Sequence, residues 1–293
     1  MTLGPVWQTW VFGGMAVFMI ALNVIMQPDL IGQLIMLVPA VALLGLPHGA
    51  LDLAVAQALW PLNGWRGMAC FVGLYIGIAL GVVGIWTVLP AVSLFAFLIY
   101  SAVHFSGDWD DAVPFIRYTG GVATIGAPAL FWQHDVATLF AFLAPVPAAQ
   151  AAALVLAIAG GAALALSIAA VVLRPDLRTT ATIEQGVIWI SAACLSPLVY
   201  FVVYFCTLHS VRHFADALGA LDNRGYALRV AGGLSVITVL AGLAAFAILQ
   251  RVDTPMVAQS VLQIVFIGVA ALTVPHMILV DRFQKQKRTP TAR

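Results

Sequence analysis

The sequence predicts an all-α protein: a polytopic transmembrane helical bundle of about eight or nine membrane segments, with a metal site between its helices. Three observations predict it. The 293 residues are 62% hydrophobic and only 9% charged, with a mean hydropathy of +1.03. A soluble domain carries about 25% charged residues, so lipid must be much of this chain's solvent. Apolar runs of spanning length follow one another along the chain. Histidines recur inside those runs, where polar groups are costly and mark function.

Taken in order, the candidate spans are Trp7–Met26, Leu30–Leu59, Gly67–Leu89, Ala91–Phe105, Phe115–Trp132, Ala148–Leu173, Ile183–Leu218, Leu228–Gln250 and Met256–Val280. Each meets or approaches the roughly 17–25 residues that cross a bilayer. Backbone groups in lipid must be satisfied within the segment, so the spans are helices. Met1 to Pro5 lacks the positive start of a secretory signal, and Trp7–Met26 reads as a permanent span. Ala91–Phe105 is short, and Phe115–Trp132 holds Gly120, Gly121, Gly126 and Pro128. These two are the candidates for re-entrant segments, and Ala137–Leu143 for a short interfacial piece.

Charged loops separate the runs: Asp108, Asp110 and Asp111; Arg174, Asp176 and Arg178; Asp222, Arg224 and Arg229. The stretch 282–293 holds Arg282, Lys285, Lys287, Arg288 and Arg293, five of the thirteen basic residues. The positive-inside rule puts this tail in the cytoplasm. With nine spans, the Arg174/Arg178 loop fits that orientation poorly. There is no evident repeat or linker, so residues 1–293 read as a single integral membrane domain. A net charge of +1 gives no footprint for nucleic acid. Cys70, Cys194 and Cys206 lack metal or disulfide spacing and read as small core residues.

Five of the six histidines lie within or at the end of apolar runs; only His134, beside Asp135, reads as a loop residue. In His209-Ser-Val-Arg-His213 the i, i+4 spacing puts both imidazoles on one helix face, about 6 Å apart at Cβ. One ion suits that distance, and so do two hydrogen bonds to neighbouring helices. Gly45-Leu-Pro-His48-Gly-Ala-Leu-Asp52 and Tyr100-Ser-Ala-Val-His104-Phe-Ser-Gly-Asp108 share a His-x-x-x-Asp spacing. Metal-bound imidazoles usually donate their second N–H to a carboxylate or carbonyl. Asp52 and Asp108 are candidates for that support, each for its own histidine or for one on another helix, and Asp216 is a third. His276 follows Pro275 and ranks below the other four, as a fifth ligand or a supporting group. Arg212 lies between the chelating pair and needs a buried partner, with Asp52, Asp108 and Asp216 as candidates. Imidazole suits iron, copper, zinc or nickel. O2 and hydrophobic substrates partition into lipid, which makes iron the natural chemical reading while leaving the metal open.

These segments together resemble the Brp/Blh family, the bacterial and archaeal membrane β-carotene 15,15′-dioxygenases. The residues that carry the resemblance are Gly-Leu-Pro-His-Gly-Ala-Leu-Asp at 45–52, Val-His-Phe-Ser-Gly-Asp at 103–108, His-Ser-Val-Arg-His at 209–213 and Val-Pro-His at 274–276. They run in order over about residues 40 to 283, and the combination is specific although no single piece is. Residues 1–28 stand outside it, as an extra N-terminal span. The resemblance implies central cleavage of all-trans-β-carotene by O2 into two all-trans-retinal. It implies a non-haem Fe(II) held by His48, His104, His209 and His213, in a bacterial cytoplasmic (inner) membrane, with the product passed to a rhodopsin. A long apolar rod needs a tunnel. Tyr100, Phe105, Tyr200, Phe201, Tyr204, Phe205 and Phe214 flank the ligands and are candidates to line it, or else are core or lipid-facing residues.

Rival readings follow from the same histidines. Diiron hydroxylases and desaturases use more of them, typically about eight or more in HxxxH and HxxHH boxes, and this chain has six with no adjacent pair. A haem carrier or proton-coupled transporter would use intramembrane histidines without the dioxygenase chemistry. A retinal-binding rhodopsin needs an intramembrane lysine, and Lys285 and Lys287 both lie in the tail.

Overall fold

The computed structural model describes residues 6–60, 62, 64–252 and 256–288, which are helical nearly throughout with no strand among them. Helix α1 is Val6–Met26, and α2 is Leu30–Ala40. Between them Gln27 takes a left-handed φ of 40° ahead of Pro28. Asp29 caps α2 by accepting from the Gly32 N–H at 2.8 Å. A π turn at Val41–Gly45 leads into α3, Leu46–Ala50. Pro47 has no N–H to return to the carbonyl four residues back, and the turn before it widens. Helix α4 is Asp52–Leu59, α5 is Gly64–Val88 and α6 is Pro90–Ser106. A 3₁₀ turn, Gly107–Trp109, ends α6. Then come α7 (Pro114–Phe131), α8 (Gln133–Ala141) and α9 (Val146–Leu173).

The expected span Ile183–Leu218 is two pieces. Helix α10 covers Thr180–Cys194 and α11 covers Pro197–Tyr204. Pro197 cannot continue a helix from its N-terminal side, and it pushes Ser196 into extended backbone. A second π turn, Phe205–His209, joins α11 to α12, Ser210–Gly219. Helix α13 is Arg224–Val252 and α14 is Val257–Arg288. The stretch read as a tail from Arg282 therefore continues α14 to Arg288, while Arg293 lies outside the described residues, as do Met1–Pro5.

Among the described residues, eight helical stretches are long and apolar enough to cross a membrane. They include Leu30–Leu59 and Pro197–Gly219, each counted across its π turn. The chain is an integral membrane protein on that ground. Helix α7 is not one of the eight, and more than half of its residues are buried. In the exposed loop after α9, the Arg174 guanidinium holds Asp176 bidentately at 3.0 and 2.9 Å and keeps its carboxyl below the usual carboxylate value. So exposed a pair adds little stability.

The chain divides into two compact units. One takes Met1–Val41 and Pro90–Arg212; the other takes Ala42–Leu89 and His213–Arg293. In the first, glycines on α7 let its neighbours approach closely. A Cβ on Gly126 would lie 2.8 Å from Gly160 Cα on α9. A Cβ on Gly121 would run into the Ala102 carbonyl and lie 2.9 Å from Ser106 Cβ on α6. This crossing sets where the end of α6, with His104 and the turn bearing Asp108, stands. In the second unit, Leu51, Ala54, Val55 and Ala56 pack with Leu221, Ala227, Ala231 and Leu279, which docks α4 on α13 and α14.

Of the cysteines, only Cys206 is buried. Cys70 and Cys194 lie on exposed faces, so the reading of all three as core residues is corrected. A small apolar thiol carries no penalty against lipid.

Candidate metal centre

Neither His-x-x-x-Asp segment forms a regular helical turn. After His104 the helix tightens into the 3₁₀ turn that carries Asp108; after His48 the chain breaks at Leu51 and restarts at Asp52. Each carboxylate meets a histidine on another helix, Asp108 with His209 and Asp52 with His276.

In the first unit, Asp108 and His209 are both fully buried in their side chains. His209 Nδ1 lies 3.1 Å from Asp108 Oδ1, and the Tyr204 hydroxyl donates to Asp108 Oδ2 at 2.5 Å. The His104 ring is 4.7 Å from that of His209, centroid to centroid. Phe205 stacks on the His209 ring at 5.5 Å, and Phe105 meets it edge-on at 4.9 Å. Arg212 braces the group from behind. It donates to the Asp108 main-chain carbonyl at 2.6 Å, to Glu184 Oε1 at 2.7 Å and to Gln8 Oε1 at 3.0 Å. Glu184 also accepts from Trp109 Nε1 at 2.9 Å and from the Thr9 hydroxyl at 2.6 Å. A buried ion pair is tolerable when its remaining polar capacity is filled in this way.

In the second unit, His276 Nδ1 lies 2.7 Å from Asp52 Oδ1, and the Tyr75 hydroxyl donates to Asp52 Oδ2 at 2.8 Å. His48 Nδ1 is within hydrogen-bond reach of the Gly45 carbonyl, at the end of the π turn. The His48 ring lies 5.5 Å from His276 and 6.4 Å from His213. His213 follows His209 by one turn of the same helix.

Imidazoles held on carboxylate or carbonyl oxygens, as in each unit, suit a first-row divalent ion. Two imidazoles that share such an ion at about 2.1 Å have ring centroids roughly 4.5–6.5 Å apart, and the three separations above lie in that interval. Nδ1 of His48, His209 and His276 faces a carbonyl or carboxylate. That fixes the proton on Nδ1 and leaves Nε2 as the donor to a metal.

The residues predicted from sequence divide accordingly. His104, His209, Asp108 and Arg212 meet in one unit; His48, His213, His276 and Asp52 belong to the other. The carboxylate partner of Arg212 is Glu184, and Asp108 serves it through its main-chain carbonyl. Asp216 is exposed. Tyr200 donates to the Thr124 carbonyl at 2.9 Å and Tyr204 to Asp108, so both phenols tie helices together. Phe201 stacks on Phe205 at 4.9 Å. Tyr100 is half-buried, and Phe214 packs on the apolar cluster of the second unit. Sequence reasoning missed Glu184 and Tyr75. Glu184 had a signal, since it is the chain's only glutamate and opens an apolar run. Tyr75, one phenol within an apolar helix, had none.

The family model described as Beta-carotene 15,15′-dioxygenase matches residues 39–284. A protein of an uncultured marine bacterium, 66A03, named Beta-carotene 15,15′-dioxygenase, is 33% identical over 253 residues, covering 82% of this chain and 90% of that one. A Halobacterium salinarum protein named Probable beta-carotene 15,15′-dioxygenase Blh is 26% identical over 290 residues, with 85% and 84% covered. No solved structure gives a significant match.

Proposed function

The chain belongs to the beta-carotene 15,15′-dioxygenase family, and from that premise we propose that it cleaves all-trans-β-carotene at the central 15,15′ double bond with O2 to give two all-trans-retinal. The observation that carries the reading is the family match across 39–284, which spans every histidine-bearing segment named above. We propose further that His48, His104, His209 and His213 hold a non-haem Fe(II), in one integral membrane domain. The carboxylate-fixed rings and their spacing support this. So does charge: with neutral imidazoles, Asp52 and Asp108 are two buried anions, which a dication would offset.

What iron supplies when bound is the one-electron reactivity that O2 needs to react with a closed-shell alkene. The protein's own part is positioning. Asp108 and Tyr204 hold the His209 ring, and Arg212 holds the turn that carries Asp108. Phe105 and Phe205 surround that imidazole with apolar surface, which excludes water and suits a polyene. No side chain has to supply a proton. One carbon–carbon double bond and the O–O bond break, two carbonyls form, and both oxygen atoms end in product. No reductant or organic cosubstrate is required.

The reading places the protein in the bacterial cytoplasmic membrane with its C-terminus in the cytoplasm, takes β-carotene from the lipid phase, and hands retinal to a rhodopsin. The test is expression in a β-carotene-accumulating bacterium. Bleached cells that contain retinal are expected. Orange cells without retinal, despite inserted and iron-loaded protein, contradict the reading.

A further inference from the structure

The second unit holds three imidazoles, and the ligand set implied by the family uses two of them, His48 and His213. The third, His276, is 6% exposed and stands 5.5 Å from His48, ring to ring, at 84°. Its setting reproduces that of His209. In both settings a buried aspartate takes a histidine Nδ1 and a tyrosine hydroxyl: Asp52 takes His276 on Oδ1 and Tyr75 on Oδ2, and Asp108 takes His209 at 3.1 Å on Oδ1 and 3.3 Å on Oδ2, the latter shared with Tyr204. The Asp52–His276 contact, at 2.7 Å, is shorter than the 3.1 Å of Asp108–His209.

A histidine that only filled space in an apolar bundle would not call for a buried carboxylate, which is costly to desolvate. A carboxylate on Nδ1 is how proteins orient an imidazole whose Nε2 binds metal. His48 and His276 also each follow a proline directly, Pro47 and Pro275, the latter inside α14. Proline removes a backbone N–H and bends the helix, so both rings sit where α-helical packing is locally relaxed.

We propose that His276 is a further ligand of the iron, through Nε2, and that Asp52 and Tyr75 are its positioning residues. The proposal rests on the iron reading above. It adds a fifth imidazole to the four that the family implies.

The test uses the full-length chain, purified in detergent and loaded with Fe(II) under anaerobic conditions. Iron K-edge X-ray absorption counts the imidazoles, and chelator competition gives the affinity. In His276→Gln the imidazole count should fall by one, and iron affinity about tenfold or more. In Asp52→Asn the count should hold while affinity falls about 10–100-fold, as outer partners of metal ligands typically contribute. An unchanged imidazole count in His276→Gln overturns the assignment, even where the wild type binds iron and makes retinal; the functional reading then stands without it. Should His276→Gln not insert, Asp52→Asn decides, and unchanged affinity there overturns the proposal. A wild-type chain that binds no iron overturns this proposal and the iron reading together.

Discussion

Asp108 lies in a wall of fixed polar groups, whereas Asp52 lies among three helices with a tyrosine and a histidine on its oxygens. Behind Asp108, Arg212 ties the 3₁₀ turn to Glu184 and Gln8, and Trp109 and Thr9 close the ring. At Asp52, the Tyr75 hydroxyl divides between the carboxylate at 2.8 Å and the Leu272 carbonyl at 3.3 Å. In both units an aspartate orients an imidazole and takes a tyrosine hydroxyl, but in one the backbone carrying the carboxylate is itself anchored. The difference separates two duties. On the proposed iron reading, the Asp108 unit carries positional rigidity bound up with folding, and the Asp52 unit carries adjustment at the metal. Substitutions in the first should therefore lower stability along with iron binding. Those in the second should act mostly on iron.

The largest effects fall on the proposed ligands. His104→Ala and His209→Ala from one unit, and His48→Ala and His213→Ala from the other, are each expected to abolish retinal formation and iron retention, read by chromatography and metal analysis. Full activity in any one removes that residue from the set. Next is Glu184→Ala. It strands the Arg212 guanidinium, and breaking a buried pair typically costs about 3–5 kcal/mol. Thermal unfolding in detergent should fall steeply, and an unchanged midpoint would show that Arg212 finds water or lipid phosphate instead.

The sharpest test of the comparison itself is Asp108→Asn beside Asp52→Asn. Both should weaken iron binding about 10–100-fold, while only Asp108→Asn also lowers the unfolding midpoint markedly. Equal loss of stability in the two would erase the distinction. Gly121→Ala is smaller. Overpacking at the α6–α7 crossing should cost about 1–3 kcal/mol and displace His104, lowering turnover as well as stability. The last pair is Tyr204→Phe and Tyr75→Phe, each removing a hydroxyl from a carboxylate oxygen, a loss of about 1.5–3 kcal/mol, with a few-fold drop in iron affinity and no change in protein yield.

Much of the candidate site was legible in the sequence because polar residues in apolar runs stand out. His209 and His213 on one helix, and the recurrence of His-x-x-x-Asp, needed only spacing. What spacing could not convey is which carboxylate meets which imidazole. The i, i+4 spacing suggests His48 with Asp52 and His104 with Asp108, whereas the fold brings Asp52 to His276 and Asp108 to His209. The π turn before Pro47 has a cause in the missing N–H. The one at Phe205–His209 has no comparable residue signal, since it reflects packing around His209 rather than local preference. The division of Ile183–Leu218 was readable from Pro197, but the unbroken apolar character of the run masked it. Glu184 was passed over because an acid at the start of a span looks like an interfacial residue, and only the fold buries it.

Imidazoles oriented in this way are proposed to hold iron for symmetric cleavage of a polyene. The most direct measurement is turnover by the purified, iron-loaded chain with β-carotene under O2, with products and metal quantified together. The account predicts one iron per chain and two retinal formed for each β-carotene consumed. Unequal apocarotenal fragments, or retinal formation that persists after the iron is removed, would contradict it.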